Sequence, residues 1–177
     1  MNFHNKWGSV ITALVTPFEN GHIDYDSLDR LLDFQVEGGI KSFVINGTTG
    51  ESPTLENEEV KSLFHFVRKK LGTQVKLILG TGLNCTKKTI LWSQQVEQWG
   101  VDGLLVVTPY YNRPPQEGLK AHFRTLNENV NLPLILYNVP SRTGVNLDLD
   151  TVVELSHLSH IVGIKEASGD KEFGERI

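Results

Sequence analysis

Gly103-Leu104-Leu105-Val106-Val107-Thr108-Pro109-Tyr110-Tyr111 is the stretch on which the fold turns. Its first five residues are a short aliphatic run on consecutive positions. That is the pattern of a strand buried on both faces, since a half-exposed strand alternates. A hydroxyl and two phenols follow at once. The same order recurs along the chain. Val10 to Val15 is followed by Thr16-Pro17-Phe18, Ser42 to Ile45 by Asn46-Gly47-Thr48-Thr49-Gly50-Glu51, and Val75 to Leu79 by Gly80-Thr81-Gly82. Leu134 to Tyr137 runs into Tyr137-Asn138, and Ile161 to Lys165 into Lys165-Glu166.

Helical patterns lie between these runs. Val60, Leu63, Phe64, Val67 and Leu71 share one helix face, with Glu56, Glu58 and Glu59 before them and Arg68, Lys69 and Lys70 ahead of Gly72. Acid first and base last suits the helix dipole, and the glycine suits a C-cap. A second helix carries Leu28, Leu31, Leu32 and Val36 and ends at Gly38-Gly39. A third carries Leu119, Phe123, Leu126 and Val130 and stops before Pro133. The segments around Ile90 to Trp99 and Leu149 to Leu158 predict two more. Successive strands lie about 30 residues apart, the length of one βαβ unit.

Alternation of this kind implies a parallel sheet, doubly wound or closed into a barrel. Polar chemistry at the same address in most units favours the barrel, whose strand ends converge on one face. A doubly wound sheet would focus function at one switch point. The expected fold is therefore α/β, a TIM-type (β/α)8 barrel of which about six βα units are present, as a single C-terminally incomplete domain over residues 1–177.

With 177 residues and a net charge of −4, the chain has no basic footprint for nucleic acid or an anionic membrane. Its single cysteine excludes an internal disulfide and points to the cytoplasm. Met1 to Trp7 is polar and mixed, unlike a signal peptide, and no apolar run approaches the roughly 18 residues of a membrane span. Without a secretory signal, the sequons at Asn46 and Asn84 read as chance. The Gly47 to Gly50 loop lacks the ending of a P-loop. Cys85 stands where a dinucleotide fingerprint would need its next glycine after Gly80-Thr81-Gly82. His157 and His160 read as solvated residues of a polar turn and Cys85 as a packing residue, so no metal is expected.

Lys165 is the candidate with chemistry of its own. A lysine ending a buried strand either extends its amine to water, pairs with a carboxylate such as Glu166, or is held dry as a nucleophile that forms an imine with a carbonyl.

Four motifs then converge. Gly47-Thr48-Thr49-Gly50-Glu51-Ser52, Thr108 to Pro114, Tyr137-Asn138-Val139-Pro140-Ser141-Arg142-Thr143-Gly144 and Gly163-Ile164-Lys165-Glu166-Ala167 together resemble the dihydrodipicolinate synthase family in order and spacing. The resemblance implies condensation of pyruvate with aspartate semialdehyde on the diaminopimelate route to lysine. Lys165 would form the imine, which itself serves as electron sink, so no cofactor is implied. Thr49, Tyr137 and Tyr111 would relay protons, and the amides of Thr48 and Thr49 would hold the pyruvate carboxylate. Arg142 would take the carboxylate of the semialdehyde. Tyr111 would reach into a neighbouring subunit of a homo-oligomer, two tight pairs forming a tetramer.

Two alternatives stay open. An N-acetylneuraminate lyase or another pyruvate-dependent class I aldolase shares the barrel and the imine lysine, but Ser141-Arg142-Thr143-Gly144 is not expected there. A non-enzymatic, inactive fragment is the other, since six strands fall short of the eight in a closed barrel and Lys171 to Ile177 lacks an apolar helical pattern. The resemblance also places Val60 and Lys88 where lysine-inhibited members carry a histidine and a glutamate, while Ser52, Asn84 and Tyr110 are retained. Weak feedback inhibition is expected.

Overall fold

The computed structural model describes residues 7–177. Met1 to Lys6, most of the segment read above as lacking a signal core, lies outside them. Contacts gather into two compact units, one up to Gly80 and one from Thr81 onward.

In the first unit, β1 (Thr12–Ala13) leads to a hairpin of β2 (Phe18–Glu19) and β3 (His22–Ile23). A helix over Tyr25–Glu37, β4 (Ser42–Ile45), two 3-10 turns (Thr48–Gly50 and Ser52–Thr54), a helix over Asn57–Leu71 and β5 (Lys76–Gly80) follow. β4 pairs in parallel with β1 on one side and β5 on the other. The hairpin was not foreseen, although Asn20-Gly21 is its signal. Both residues have positive φ, 51° and 81°, as the two central residues of a type I′ turn must.

The helix Asn57–Leu71 follows its charge pattern. Glu59 accepts from Glu56 N at 2.9 Å in a reciprocal capping box, and Gly72, at φ 68°, closes the far end by donating to Arg68 O. Val60, Leu63, Phe64, Val67 and Leu71 are all buried. In Tyr25–Glu37 only Leu28 and Leu32 are buried, whereas Val36 is exposed.

The second unit contains a helix over Thr86–Glu97, β6 (Gly103–Val107), a helix over Gln116–Asn129 and β7 (Leu134–Asn138). A single turn (Pro140–Thr143), a helix over Leu149–Ser156, β8 (Ile161–Glu166) and a short helix over Lys171–Arg176 complete it. β7 pairs in parallel with β6 and β8, with Val107 opposite Tyr137 and Tyr137 opposite Lys165. In both units each parallel strand pairs with the one before it in the chain. A barrel is built in that order, whereas a doubly wound sheet reverses it.

Two expectations need correction. β1 is two residues long rather than six, with Val10 and Val15 exposed, because within its unit it has one neighbour, β4. β8 was expected to be buried, yet its residues are half-buried and Val162 is exposed. The cause is the same, since within its unit β8 pairs with β7 only.

Helix Gln116–Asn129 buries a histidine along with its apolar residues. His122 Nδ1 lies 2.9 Å from Thr86 Oγ1, and Nε2 has no partner among the described residues. Burial pushes the imidazole from 6.5 down to about 4. Stability from the neutral ring is complete above the unfolded-state value of 6.5 and is lost as pH falls toward 4, where the unfolded chain takes up a proton that the folded one refuses. The expected loss by pH 4 is about 3 kcal/mol. Urea unfolding at stepped pH checks this: His122→Leu should show a flatter acid limb than the parent, and identical limbs would refute the assignment.

Candidate functional site

The end of β4 is shaped by close backbone approach. A Cβ on Gly80 would stand 2.1 Å from Asn46 O, and one on Gly50 would stand 2.9 Å from Leu14 O. Asn46, at φ 57°, donates through Nδ2 to Gly80 O at 2.8 Å, and Thr16 Oγ1 donates to Gly50 O at 2.8 Å. Two of the polar residues at strand ends are thus occupied in holding this unit together. Thr48 and Thr49 stand differently. They are exposed in the turn Thr48–Gly50, which has Gly47 as its N-cap. Hydrogen bonding within the turn begins with Gly50 N to Gly47 O, so the turn itself uses neither Thr48 N nor Thr49 N.

In the second unit, Lys165 and Tyr137 come together. They are opposed in register on β8 and β7, and Lys165 Nζ lies 4.4 Å from the centroid of the Tyr137 ring, over its face. An ammonium is attracted to the negative face of a phenol ring, so the pair is held side to side across the strand ends. The ring is buried and Lys165 half-buried. Glu166 is not the lysine's partner. One carboxylate oxygen accepts from Asn138 Nδ2 at 2.7 Å and the other from Ser168 N.

Arg142 lies in the turn Pro140–Thr143 directly after β7, exposed, with Gly144 closing the turn at φ 72°. Tyr111 is 89% exposed and sits at φ 72°. A left-handed aromatic residue is costly, about 1–3 kcal/mol, and such strain gathers at functional sites. Arg113, two residues on, also has positive φ and donates through Nε to Gly144 O at 2.8 Å. It ties the Tyr111 loop to the Arg142 turn.

Arg113, Asn138 and Glu166 lie within the quoted motifs, but local pattern gives Arg113 and Asn138 no role and offers Glu166 only as a partner for Lys165. The available signal was a strand-end amide and a carboxylate, each one residue past a candidate catalytic group. His157 is an exposed helix C-cap, and His160 N donates to Asn127 Oδ1 at 2.9 Å. Cys85 is a half-buried N-cap residue without a side-chain cap bond. Among the described residues no cluster of His, Cys, Asp or Glu is arranged to hold a metal.

Comparison with known proteins extends this geometry. Residues 6–177 match the model of the dihydrodipicolinate synthetase family. The 4-hydroxy-tetrahydrodipicolinate synthase of Bdellovibrio bacteriovorus is 51% identical over 166 residues, 94% of this chain and 57% of that protein. That of Oceanobacillus iheyensis is 49% identical over 173 residues, 97% of this chain and 57% of that protein. Among solved structures, the 4-hydroxy-tetrahydrodipicolinate synthase from the thermoacidophilic methanotroph Methylacidiphilum fumariolicum SolV matches with a TM-score of 0.90 at 46% identity, covering 94% of this chain and 56% of that one. The fold is thus α/β, corresponding to part of a (β/α) barrel, and the chain spans 57% of the length of the two curated relatives.

Proposed function

The chain belongs to the dihydrodipicolinate synthetase family, and from that premise we propose that it acts as a 4-hydroxy-tetrahydrodipicolinate synthase, condensing pyruvate with L-aspartate 4-semialdehyde. The observation that carries the reading is the amine of Lys165 resting over the Tyr137 ring at adjacent strand ends. In the proposed route the amine attacks the ketone carbon of pyruvate and water leaves, giving a protonated imine. The imine draws electrons from the neighbouring methyl group, which loses a proton and attacks the aldehyde carbon. The amino group of the semialdehyde then adds to the imine carbon and releases Lys165. No cofactor is needed, because the imine is the electron sink.

Imine formation and release each move protons, and a phenol or hydroxyl both donates and accepts. We assign that relay to Tyr137, Thr49 and Tyr111. The turn amides of Thr48 and Thr49 are assigned to the pyruvate carboxylate, and their freedom from bonding within the turn supports this. The exposed, strained Tyr111 suits action in a neighbouring copy of a homo-oligomer, with a dimer of dimers as the expected assembly. Among the described residues no helix is long and apolar enough to cross a membrane. The proposed location is the cytoplasm. Borohydride reduction in the presence of pyruvate tests the chemistry: a reduced pyruvyl group should appear at Lys165. A label elsewhere would move the assignment, and no label with no turnover would leave a non-enzymatic chain.

Arg142 is expected to select the aldehyde partner. A guanidinium can grip a carboxylate through two parallel hydrogen bonds, which a neutral side chain cannot. Arg142→Leu should raise the KM for the semialdehyde by roughly 10–100-fold, as expected for a lost charged hydrogen bond of about 1.5–3 kcal/mol, with pyruvate labelling of Lys165 retained. Efficient cleavage of N-acetylneuraminate, with the semialdehyde ignored, would install the sugar-acid lyase reading instead.

Lysine should inhibit weakly. Val60 is buried in the apolar face of its helix, and Lys88 is an exposed ammonium. An ammonium where a cationic ligand needs a carboxylate costs on the order of 1–4 kcal/mol. Strong inhibition by millimolar lysine in a steady-state assay would overturn this.

A further inference from the structure

Asn138 is completely buried at the end of β7, and its amide joins two segments that carry chemistry. Its Nδ2 donates to Glu166 Oε2 at 2.7 Å and to Asn146 Oδ1 at 2.8 Å. Its Oδ1 accepts from Leu147 N at 3.1 Å, and its backbone carbonyl accepts from Ala167 N at 2.9 Å. Glu166 directly follows Lys165 in β8, and its Oε1 accepts from Ser168 N. Asn146 and Leu147 close the loop that starts with the Arg142 turn.

The orientation of the amide is dictated by its neighbours. Leu147 N can only donate, so Asn138 must turn its oxygen there and its NH2 toward Glu166. Glu166 meets an N–H at each oxygen and must accept twice. The arrangement permits no exchange of donor and acceptor at either residue alone. It also braces the end of β8 where, among the described residues, β7 is its ladder neighbour.

We propose that Asn138 and Glu166 are a positioning pair, setting the Lys165-bearing end of β8 and the Arg142-bearing loop from one buried amide. The proposal rests on the imine reading above. Neither residue touches the reacting atoms; both act through the backbone of the segments they hold. A reacting amine displaced by about 1 Å loses on the order of 100-fold in rate, which makes such a brace consequential.

The test exchanges donor and acceptor across the pair. Asn138→Asp sets one carboxylate against another, and Glu166→Gln sets an NH2 against either the Asn138 amide or Ser168 N. The double variant restores complementarity at unchanged net charge. The new carboxylate at 138 accepts from Leu147 N and from the new amide at 166, whose oxygen accepts from Ser168 N. The Asn146 amide can rotate to donate. The rate of pyruvate-dependent borohydride labelling of Lys165 is read against pyruvate concentration, with thermal melting alongside.

Each single variant is expected to slow labelling at saturating pyruvate by on the order of 100-fold, with the half-saturating pyruvate concentration little changed. The double variant should recover most of that loss. Single variants that label like the parent would overturn the proposal while the imine reading stands, as would a double variant no better than the worse single. A parent protein that takes no label brings both down. Should one single variant fail to fold, the double variant still decides the matter.

Discussion

Lys165→Ala is expected to abolish pyruvate-dependent borohydride labelling and to reduce condensation by roughly 10⁴-fold or more, the scale on which removal of a covalent nucleophile acts. Lys165→Arg should behave the same way, since a guanidinium stays protonated and has no free electron pair to offer a ketone. The expectation follows from the pairing of this amine with the Tyr137 ring at opposed positions of β7 and β8. Intact mass before and after reduction, followed by peptide mapping, reads the label. Melting curves of the two variants should remain cooperative, because Lys165 is half-buried and its backbone ladder to β7 is untouched. Undiminished labelling of Lys165→Ala would remove the residue from the mechanism altogether.

Gly80→Ala has the largest expected effect on stability. The added Cβ would stand 2.1 Å from Asn46 O and 2.9 Å from Asn46 C, where no atom can sit. The obstruction is backbone, at the end of a strand in register with β5 itself, Ile45 opposite Leu79. No flexible side chain can yield, so the ends of β4 and β5 must part and the Asn46 bond to Gly80 O must break. A cost of about 4 kcal/mol or more is expected, against a total stability of about 5–15 kcal/mol for a typical domain. Gly82→Ala should be comparable, its Cβ falling 2.4 Å from Val107 N. Gly174→Ala is the control: its Cβ meets open space within the helix Lys171–Arg176, and alanine in a helix gains about 1 kcal/mol at most. Urea midpoints of the three variants check the order. A Gly80→Ala protein as stable as the parent would show that the strand ends are far softer than their hydrogen bonding implies.

These glycines show where sequence reading stops. As a local motif, Gly80-Thr81-Gly82 fits no phosphate-binding fingerprint. What the glycines accommodate is the backbone of residues far away in the chain, which no local pattern reports. The hairpin Phe18–Glu19 with His22–Ile23 was legible and missed, because Asn20-Gly21 carries its own turn conformation in any context. Arg113 and Asn138 were not legible as linkers. Their partners Gly144, Asn146, Leu147 and Glu166 lie 8 to 31 residues away.

By itself, then, the sequence determined the order of the six parallel strands and the main helices between them, the helix ends at Gly38 and Gly72, and Lys165 as a candidate group, while Thr48, Thr49, Tyr111, Tyr137 and Arg142 became candidates through the family resemblance of their motifs. Apolar periodicity, caps and motif spacing are local, and they act before the chain is packed. The tertiary structure alone decided that Lys165 lies over Tyr137 while Glu166 answers to Asn138, and that β8 stays half-buried. Both outcomes depend on which strand stands beside which and in what register. A single shift of register would turn Lys165 to the opposite face of the sheet, because side chains alternate along a strand.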